Sequence, residues 1–120
     1  AQALADNLNQ HFGAPRALAG SDLAGALGDA QGLVNTTPVG MAKLPGMPVP
    51  AELLRADLWV AEVIYFPLET ELLRQARALG CRTLDGGTMA VFQAVKAFEL
   101  FSGVAADAAR MQAHFASLGD

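Results

Sequence analysis

The sequence contains few of the residues that mark several large classes of protein. Its single cysteine, Cys81, cannot form a disulfide within the chain, which fits a reducing compartment. Only 17% of its residues are charged and the net charge is −4, so it lacks the basic surface of a nucleic-acid-binding domain. No apolar run reaches the roughly 18 residues of a membrane span, and no signal-peptide pattern is found. We therefore expect a cytoplasmic location, with neither nucleic acid nor membrane as a partner.

Apolar residues, in contrast, are abundant. They make up 52% of the 120 residues, more than in an average soluble domain, so we expect the chain to bury much of its surface against another polypeptide. The first residue is not methionine, and Leu4, Leu8 and Phe12 already form a helical stripe. We interpret the sequence as one modest domain that is a piece of a longer protein.

Hydrophobic periodicity and the positions of glycine and proline predict alternating helices and strands. The predicted strands are residues 16–19, the segment around Leu33–Val34, residues 58–65 and residues 81–84. The predicted helices are residues 1–12, the segment from the cap Ser21 to Gly28, a turn at 51–54, the segment from the cap Thr70 to Gly80, residues 88–101 and a last helix from Asp107. Four prolines make residues 38–50 a loop. This order predicts an α/β fold with a parallel sheet of about four strands, flanking helices and C-terminal helices.

Three of the predicted strands end in polar or flexible residues, at Asn35–Thr37, Tyr65 and Asp85–Gly87. The carboxyl ends of parallel strands meet at one edge of a sheet, where α/β proteins bind their ligands. Amide and hydroxyl groups bind polar ligand atoms, and glycines let a flat ring approach the backbone closely. Gln93, on the following helix, shares a helical face with Met89 four residues earlier. The sequence therefore predicts a ligand site at this edge.

Each of these residues also has a purely structural interpretation. Tyr65 fits a half-buried strand position, Gly86–Gly87 fits a plain turn, Met89 fits the core, and Gln93 fits a solvent-exposed helix face. Metal binding is not predicted, because His11 and His114 lie at opposite ends of the chain without ligand spacing. The sequence also contains no phosphate-binding P-loop, no nucleophile elbow and no G-x-G-x-x-G motif.

Four segments, in order and at family spacing, resemble the C-terminal part of shikimate dehydrogenase. They are residues 35–41 (NTTPVGM), 62–73 (EVIYFPLETELL), 85–93 (DGGTMAVFQ) and 97–103 (AFELFSG). The quinate/shikimate dehydrogenase branch is the more similar one at residues 66–73, 78–81, 110–111 and 114–115. Two residues depart from the pattern: Glu62 stands where the family more often has aspartate, and Lys96 where the quinate-type branch more often has an acidic residue.

The resemblance implies an oxidoreductase that moves a hydride between NADP or NAD and a ring hydroxyl of shikimate or quinate. It implies a cofactor site formed by Asn35, Thr36, Thr37, Val39, Met41, Gly86 and Met89. It places Tyr65 and Gln93 at the substrate. The family's lysine–aspartate pair belongs to an N-terminal substrate domain, so the resemblance implies no catalytic residue in this chain.

The resemblance also implies that residues 1–120 are a partial NAD(P)-binding Rossmann domain without its first two strands. Residues 104–120 would then form a helix that packs on the substrate domain. Strand 16–19 would have no partner and the strand at Leu33–Val34 would have a bare apolar edge. We therefore expect that the chain does not fold alone as it does with the remainder of the enzyme, or that copies pair as a homodimer.

Two alternatives to this enzyme remain open. The chain is a truncated, non-catalytic Rossmann-like binding or interaction module, or it is part of a related nicotinamide enzyme such as a methylenetetrahydrofolate dehydrogenase or a glutamyl-tRNA reductase. Tyr65, the turn at Asp85–Gly86 and Gln93 together argue against the second alternative.

Overall fold

A three-stranded parallel sheet forms the centre of the fold in the computed structural model, which describes residues 1–118. The elements in chain order are α1 (Gln2–Phe12), α2 (Leu23–Asp29), β1 (Gly32–Asn35), a 3₁₀ turn (Ala51–Leu53), β2 (Trp59–Glu62), α3 (Glu71–Ala78), β3 (Arg82–Leu84), α4 (Gly87–Ser102) and α5 (Ala108–Ser117). The predicted α/β class and its parallel sheet are confirmed.

The strands lie in the order β1-β2-β3, which leaves β1 at one edge. Leu33 is paired with Val60, and Asn35 with Glu62, so these four side chains share one face of the sheet. The opposite face carries the row Val34, Ala61 and Leu84.

One face of the sheet is covered by α3. Thr70 caps this helix, as predicted, by accepting a hydrogen bond from the amide of Leu73 at 3.3 Å. Leu72, Leu73 and Ala76 are fully buried and join Leu58 and Val60 in the main core. Burying each such leucine contributes about 1.5–3 kcal/mol, which makes this face the main source of stability.

The other face of the sheet is open. Val34 is 46% exposed and Leu84 61% exposed, although both lie on strands. The indole of Trp59 lies over Gly32, where the atoms of the ring occupy the place that a Cβ would take. Parallel sheets are normally covered by helices on both faces, so this face requires a cover that residues 1–118 do not supply.

Helix α4 begins against the end of β2 and packs along its length on α5. A Cβ on Gly86, its N-cap, would lie 2.6 Å from the carbonyl oxygen of Val63 and nearer still to that of Ile64. The helix ends at Gly103 with φ 68°, as the sequence predicts. Asp107 then caps α5 by accepting from the amide of Arg110 at 2.9 Å.

The connection between α4 and α5 is tied to α4 by Glu99. Its carboxylate accepts from Nζ of Lys96 at 2.9 Å and from the amide of Ala106 at 3.4 Å. The hydrogen bond from Lys96, followed by that from Ala106, lowers the pKa of Glu99.

Three sequence predictions require correction. Residues 16–19 are not a strand, because the Asn9 side chain accepts from the amides of Arg16 and Ala17 at 2.7 and 2.8 Å and holds this segment beside α1. The sheet therefore has three strands among residues 1–118 instead of about four. The cap of α2 is Asp22, which accepts from the amide of Gly25 at 3.0 Å, and not Ser21. The predicted strand 58–65 is paired only over Trp59–Glu62.

The chain is more extended than a self-contained domain of its length. Its radius of gyration is 17.0 Å, whereas a compact domain of this size has a value of about 13.6 Å. Helix α1 adds little to the core, since only Ala5 of its residues is buried. None of the helices described is both long and apolar enough to cross a membrane.

We expect Gly86→Ala to lower the free energy of unfolding by about 1–3 kcal/mol, because the new methyl group overlaps the backbone at the end of β2. The measurement is urea denaturation with all proteins at the same chain concentration, because self-association adds to the stability of the folded state. Gly28→Ala is the matched control: a Cβ there meets nothing within 4 Å, so this variant is expected to be neutral or slightly stabilised. Equal stabilities of the two variants would contradict the close packing of α4 on β2.

We expect the isolated 120-residue chain to self-associate, because Val34 and Leu84 leave an apolar sheet face in water. Size-exclusion chromatography with X-ray scattering measures this. A monomer whose radius of gyration falls to about 13.6 Å, the value of a compact domain, is the result that would contradict the expectation.

Candidate functional site

The loop that leaves β1 is held in shape by Asn35. This side chain is 3% exposed, and its Oδ1 accepts from the amide of Thr37 at 3.0 Å and from Oγ1 of Thr37 at 2.7 Å. Its Nδ2 donates to the carbonyl oxygen of Val39 at 3.0 Å and to the carboxylate of Glu62 at 2.9 Å. The amide of Asn35 is thus directed into the chain and shapes the loop, while Thr36 and Thr37 remain exposed.

A cavity of about 670 Å³ lies beside this loop, between it and the end of β2. Thr36, Thr37 and Met41 line it from the loop. Tyr65, which is 54% exposed, lines it from the segment that follows β2. Val39 lies on the inner side of the loop, half-buried, with a methyl group near Gly46. The structure thus brings four of the predicted residues to one cavity.

A second cavity, of about 570 Å³, lies between α4 and α5. Gln93 lines it together with Tyr65, which belongs to both cavities. His114, Met111 and Phe115 form the α5 side. From the sequence, His114 has no role in the site and contributes only to the resemblance to the quinate/shikimate branch, whereas the approach of α5 to α4 places it beside Gln93.

Gly86 and Met89 lie at the start of α4, outside the lining of both cavities. Gly86 is buried and packs on the backbone of Val63 and Ile64. Met89 is 39% exposed on the first turn of α4. Met89 and Gln93 are one helical turn apart on α4, as predicted, but only Gln93 lines a cavity.

Sequence reasoning missed the part that Glu62 plays. It is 3% exposed, and its carboxylate accepts from Asn35 and, at 3.0 Å, from Oγ1 of Thr70. The available signal was strand alternation, because Val60 is a core residue and Glu62, two positions later, must face the same way.

The chemistry of the two cavities suits an amphipathic ligand. Pockets of about 300–1,000 Å³ with apolar walls and a few polar groups are typical of cofactor and substrate sites. The loop cavity offers the hydroxyls of Thr36 and Thr37 beside the apolar side chains of Met41 and Phe66. Within residues 1–118 no group of three or more metal-ligating side chains is present.

Charged residues with shifted pKa values lie away from both cavities. Arg74, through its hydrogen bond, and then Gln75 lower the pKa of Glu71 on α3, and the same carboxylate raises the pKa of Arg74. These residues stabilise the surface of α3 and give no acid or base to the site.

No family model matches the chain. Individual proteins, in contrast, match nearly all of it. A shikimate dehydrogenase (NADP⁺) of Streptomyces avermitilis is 63% identical over 98% of the chain. A quinate/shikimate dehydrogenase (NAD⁺) of Corynebacterium efficiens is 50% identical over the same share. The chain covers 41% and 42% of these proteins, respectively, so it spans about two fifths of their length.

Solved structures give the same result. A quinate dehydrogenase from Corynebacterium glutamicum in complex with NAD superimposes with a TM-score of 0.88 at 46% identity, over 98% of this chain and 42% of that one. A shikimate dehydrogenase from Thermus thermophilus in complex with NADP(H) and shikimate gives a TM-score of 0.72 at 32% identity, over 92% of this chain and 41% of that one. Over nearly its whole length, the chain matches the C-terminal part of shikimate and quinate/shikimate dehydrogenases.

Proposed function

We propose that this chain is the nucleotide-binding side of an NAD(P)-dependent oxidoreductase that acts on shikimate or quinate. The observation that carries the proposal is the position of Tyr65, which is shared by the cavity of the loop after β1 and the cavity of Gln93. A cofactor in the first cavity and a substrate in the second would meet at this side chain. Relatives named for this activity, with either cofactor, support the proposal.

The proposed cofactor residues divide into three groups. Thr36, Thr37 and Met41 contact the nicotinamide and its ribose, while Asn35 and Val39 keep the loop in the shape that presents them. Gly86 and Met89 line neither cavity, and their proposed contact is with a part of the cofactor that extends beyond the loop cavity to the start of α4. The cofactor supplies or accepts the hydride.

The proposed substrate residues are Tyr65 and Gln93. The hydroxyl of Tyr65 and the amide of Gln93 can each donate and accept a hydrogen bond, which suits the ring hydroxyls and the carboxylate of shikimate or quinate. Their role is to hold the substrate carbon near the nicotinamide. The proton of the reacting hydroxyl moves to groups outside this chain.

The proposed domain organisation follows from the open sheet face. Residues 1–120 form part of a Rossmann domain whose first two strands extend the sheet beside β1 and whose accompanying helices cover Val34 and Leu84, and residues 104–120 pack on a substrate domain. The remainder of the same enzyme is therefore the main partner, in the cytoplasm, and a homodimer is a further expectation. Leu118 lines the cavity of α4 and α5, and residues 119–120 lie outside the described part of the chain.

A hybrid enzyme tests the proposed activity. It consists of the Streptomyces relative with its aligned C-terminal part replaced by this chain. We expect the hybrid to reduce NADP or NAD with shikimate or quinate, and the 120-residue chain alone to show no turnover, because the proton-transfer groups are outside it. The absorbance of the reduced nicotinamide measures both. Turnover by the chain alone contradicts the proposed division of the site, and a folded but inactive hybrid favours the alternative of a non-catalytic binding module.

We expect Tyr65→Phe in the hybrid to raise KM for shikimate by about tenfold, the loss of one hydrogen bond to a charged group, while KM for the cofactor stays the same. Steady-state kinetics with each substrate varied in turn measures the two constants. Ser21→Ala, which removes a hydroxyl from an exposed position outside the lining of both cavities, is the control and should change neither. A larger effect on the cofactor than on shikimate would reverse the assignment of Tyr65.

A further inference from the structure

Glu62 is a buried carboxylate, 3% exposed at the end of β2. Burying a charged group is costly unless hydrogen bonds replace its water. A chain that needed only a filled core would carry an apolar residue here, as it does at Val60 on the same face. The hydrogen bonds of Glu62 therefore indicate what the residue does.

The direction of the bond between Asn35 and Glu62 follows from a neighbouring backbone group. The amide of Thr37 can only donate, so the atom of Asn35 that faces it at 3.0 Å is the oxygen Oδ1. The nitrogen Nδ2 of Asn35 must then face Glu62, at 2.9 Å from Oε1 and 3.1 Å from Oε2. Rotating the side-chain amide of Asn35 by half a turn would break its hydrogen bonds to both Thr37 and Glu62. Residue 62 must therefore provide a hydrogen-bond acceptor.

Thr70 imposes the same requirement from another segment. Its Oγ1 already accepts from the amide of Leu73 at 3.3 Å, which caps α3. The one hydrogen of this hydroxyl is thus available for Oε2 of Glu62 at 3.0 Å. The amide of Ile64 approaches Oε1 at 3.4 Å. One carboxylate therefore connects the loop after β1, the segment after β2 and the start of α3.

These connections bear directly on the loop cavity. Gly40, in the loop, packs closely on Ile64 and Thr70: a Cβ there would lie 3.2 Å from Cδ1 of Ile64 and 3.5 Å from Cβ of Thr70. The loop thus rests on two of the segments that Glu62 joins. Thr36 and Thr37 line the cavity from one side, and the segment after β2 lines it from the other. The width of the cavity depends on how these two sides are held.

We propose that Glu62 is the positioning residue of the cofactor loop, because its two acceptor oxygens fix Thr36 and Thr37 at a set distance from the segment that carries Tyr65. The expected effect on cofactor KM rests on the proposed function. The expected effect on the conformation of residues 35–41 does not. Glu62 contacts neither cavity, so it acts through Asn35 and Thr70 and is not a catalytic residue.

The test is Glu62→Gln in the hybrid enzyme, a change that keeps the size of the side chain and replaces one acceptor oxygen with a donor. We expect KM for the nicotinamide cofactor to rise by about tenfold or more, because small displacements of binding groups are costly. We also expect faster amide hydrogen exchange in the peptide that covers residues 35–41. Exchange followed by mass spectrometry reports on the loop without any need for activity.

Asp22→Ala is the matched control. It removes another carboxylate that accepts a hydrogen bond, the cap of α2, and Asp22 bonds to Gly25 rather than to the network of Glu62. This variant should lose stability while leaving cofactor KM and exchange at residues 35–41 unchanged. It therefore separates a general loss of stability from a displaced loop.

The outcomes distinguish this inference from the proposed function. Unchanged exchange at residues 35–41 in Glu62→Gln overturns the anchoring role, whatever the activity. Faster exchange with an unchanged cofactor KM overturns the positioning role and leaves the activity in place. An inactive but folded parent hybrid contradicts the proposed function alone, and exchange in its Glu62→Gln variant still decides whether Glu62 anchors the loop.

Discussion

The in-register pairing of Asn35 on β1 with Glu62 on β2 is the constraint on which the site depends. These residues form the last pair of the two strands, and their side-chain hydrogen bond adds to the backbone bond from the amide of Val63 to the carbonyl of Asn35 at 3.2 Å. A hydrogen bond to a buried charged group contributes about 1.5–3 kcal/mol. This fixes the point at which the loop departs, and with it the cavity that follows.

The second constraint is how closely α4 approaches the same strand end. Gly86 is required because any side chain there would overlap the backbone of Val63 and Ile64. The first turn of α4, with Met89, is thereby placed beside the segment that leads to Tyr65. The loop after β1 and the start of α4 therefore lie on either side of the end of β2, which is the arrangement expected of a parallel sheet that binds ligands at its carboxyl edge.

Sequence patterns were sufficient where local chemistry decides the structure. Thr70, Gly103 and Asp107 set helix ends as predicted, since caps and left-handed glycines act within a few residues. Residues 16–19 were predicted wrongly because the bonds of Asn9 to their backbone come from eight residues away and leave no trace in the pattern. The predicted site residues came from their positions at strand ends and from family resemblance. Neither source revealed the hydrogen bonds of Glu62, because they depend on the register between β1 and β2.

The open sheet face accounts for the high apolar content of the chain, because its apolar side chains are suited to contact with further polypeptide. Val34 and Leu84 are exposed on the face opposite α3, and the radius of gyration exceeds that of a self-contained domain. Parallel sheets are normally covered on both faces. Polypeptide that covers this face would therefore add the free energy of burying Val34 and Leu84. Under the proposed function, in which the loop cavity holds the nicotinamide end of a dinucleotide, the same polypeptide would hold its far end. The polypeptide that covers the open face would then also complete the cofactor site. The 120 residues would contribute the carboxyl edge of the sheet, which both the fold and the cofactor site require.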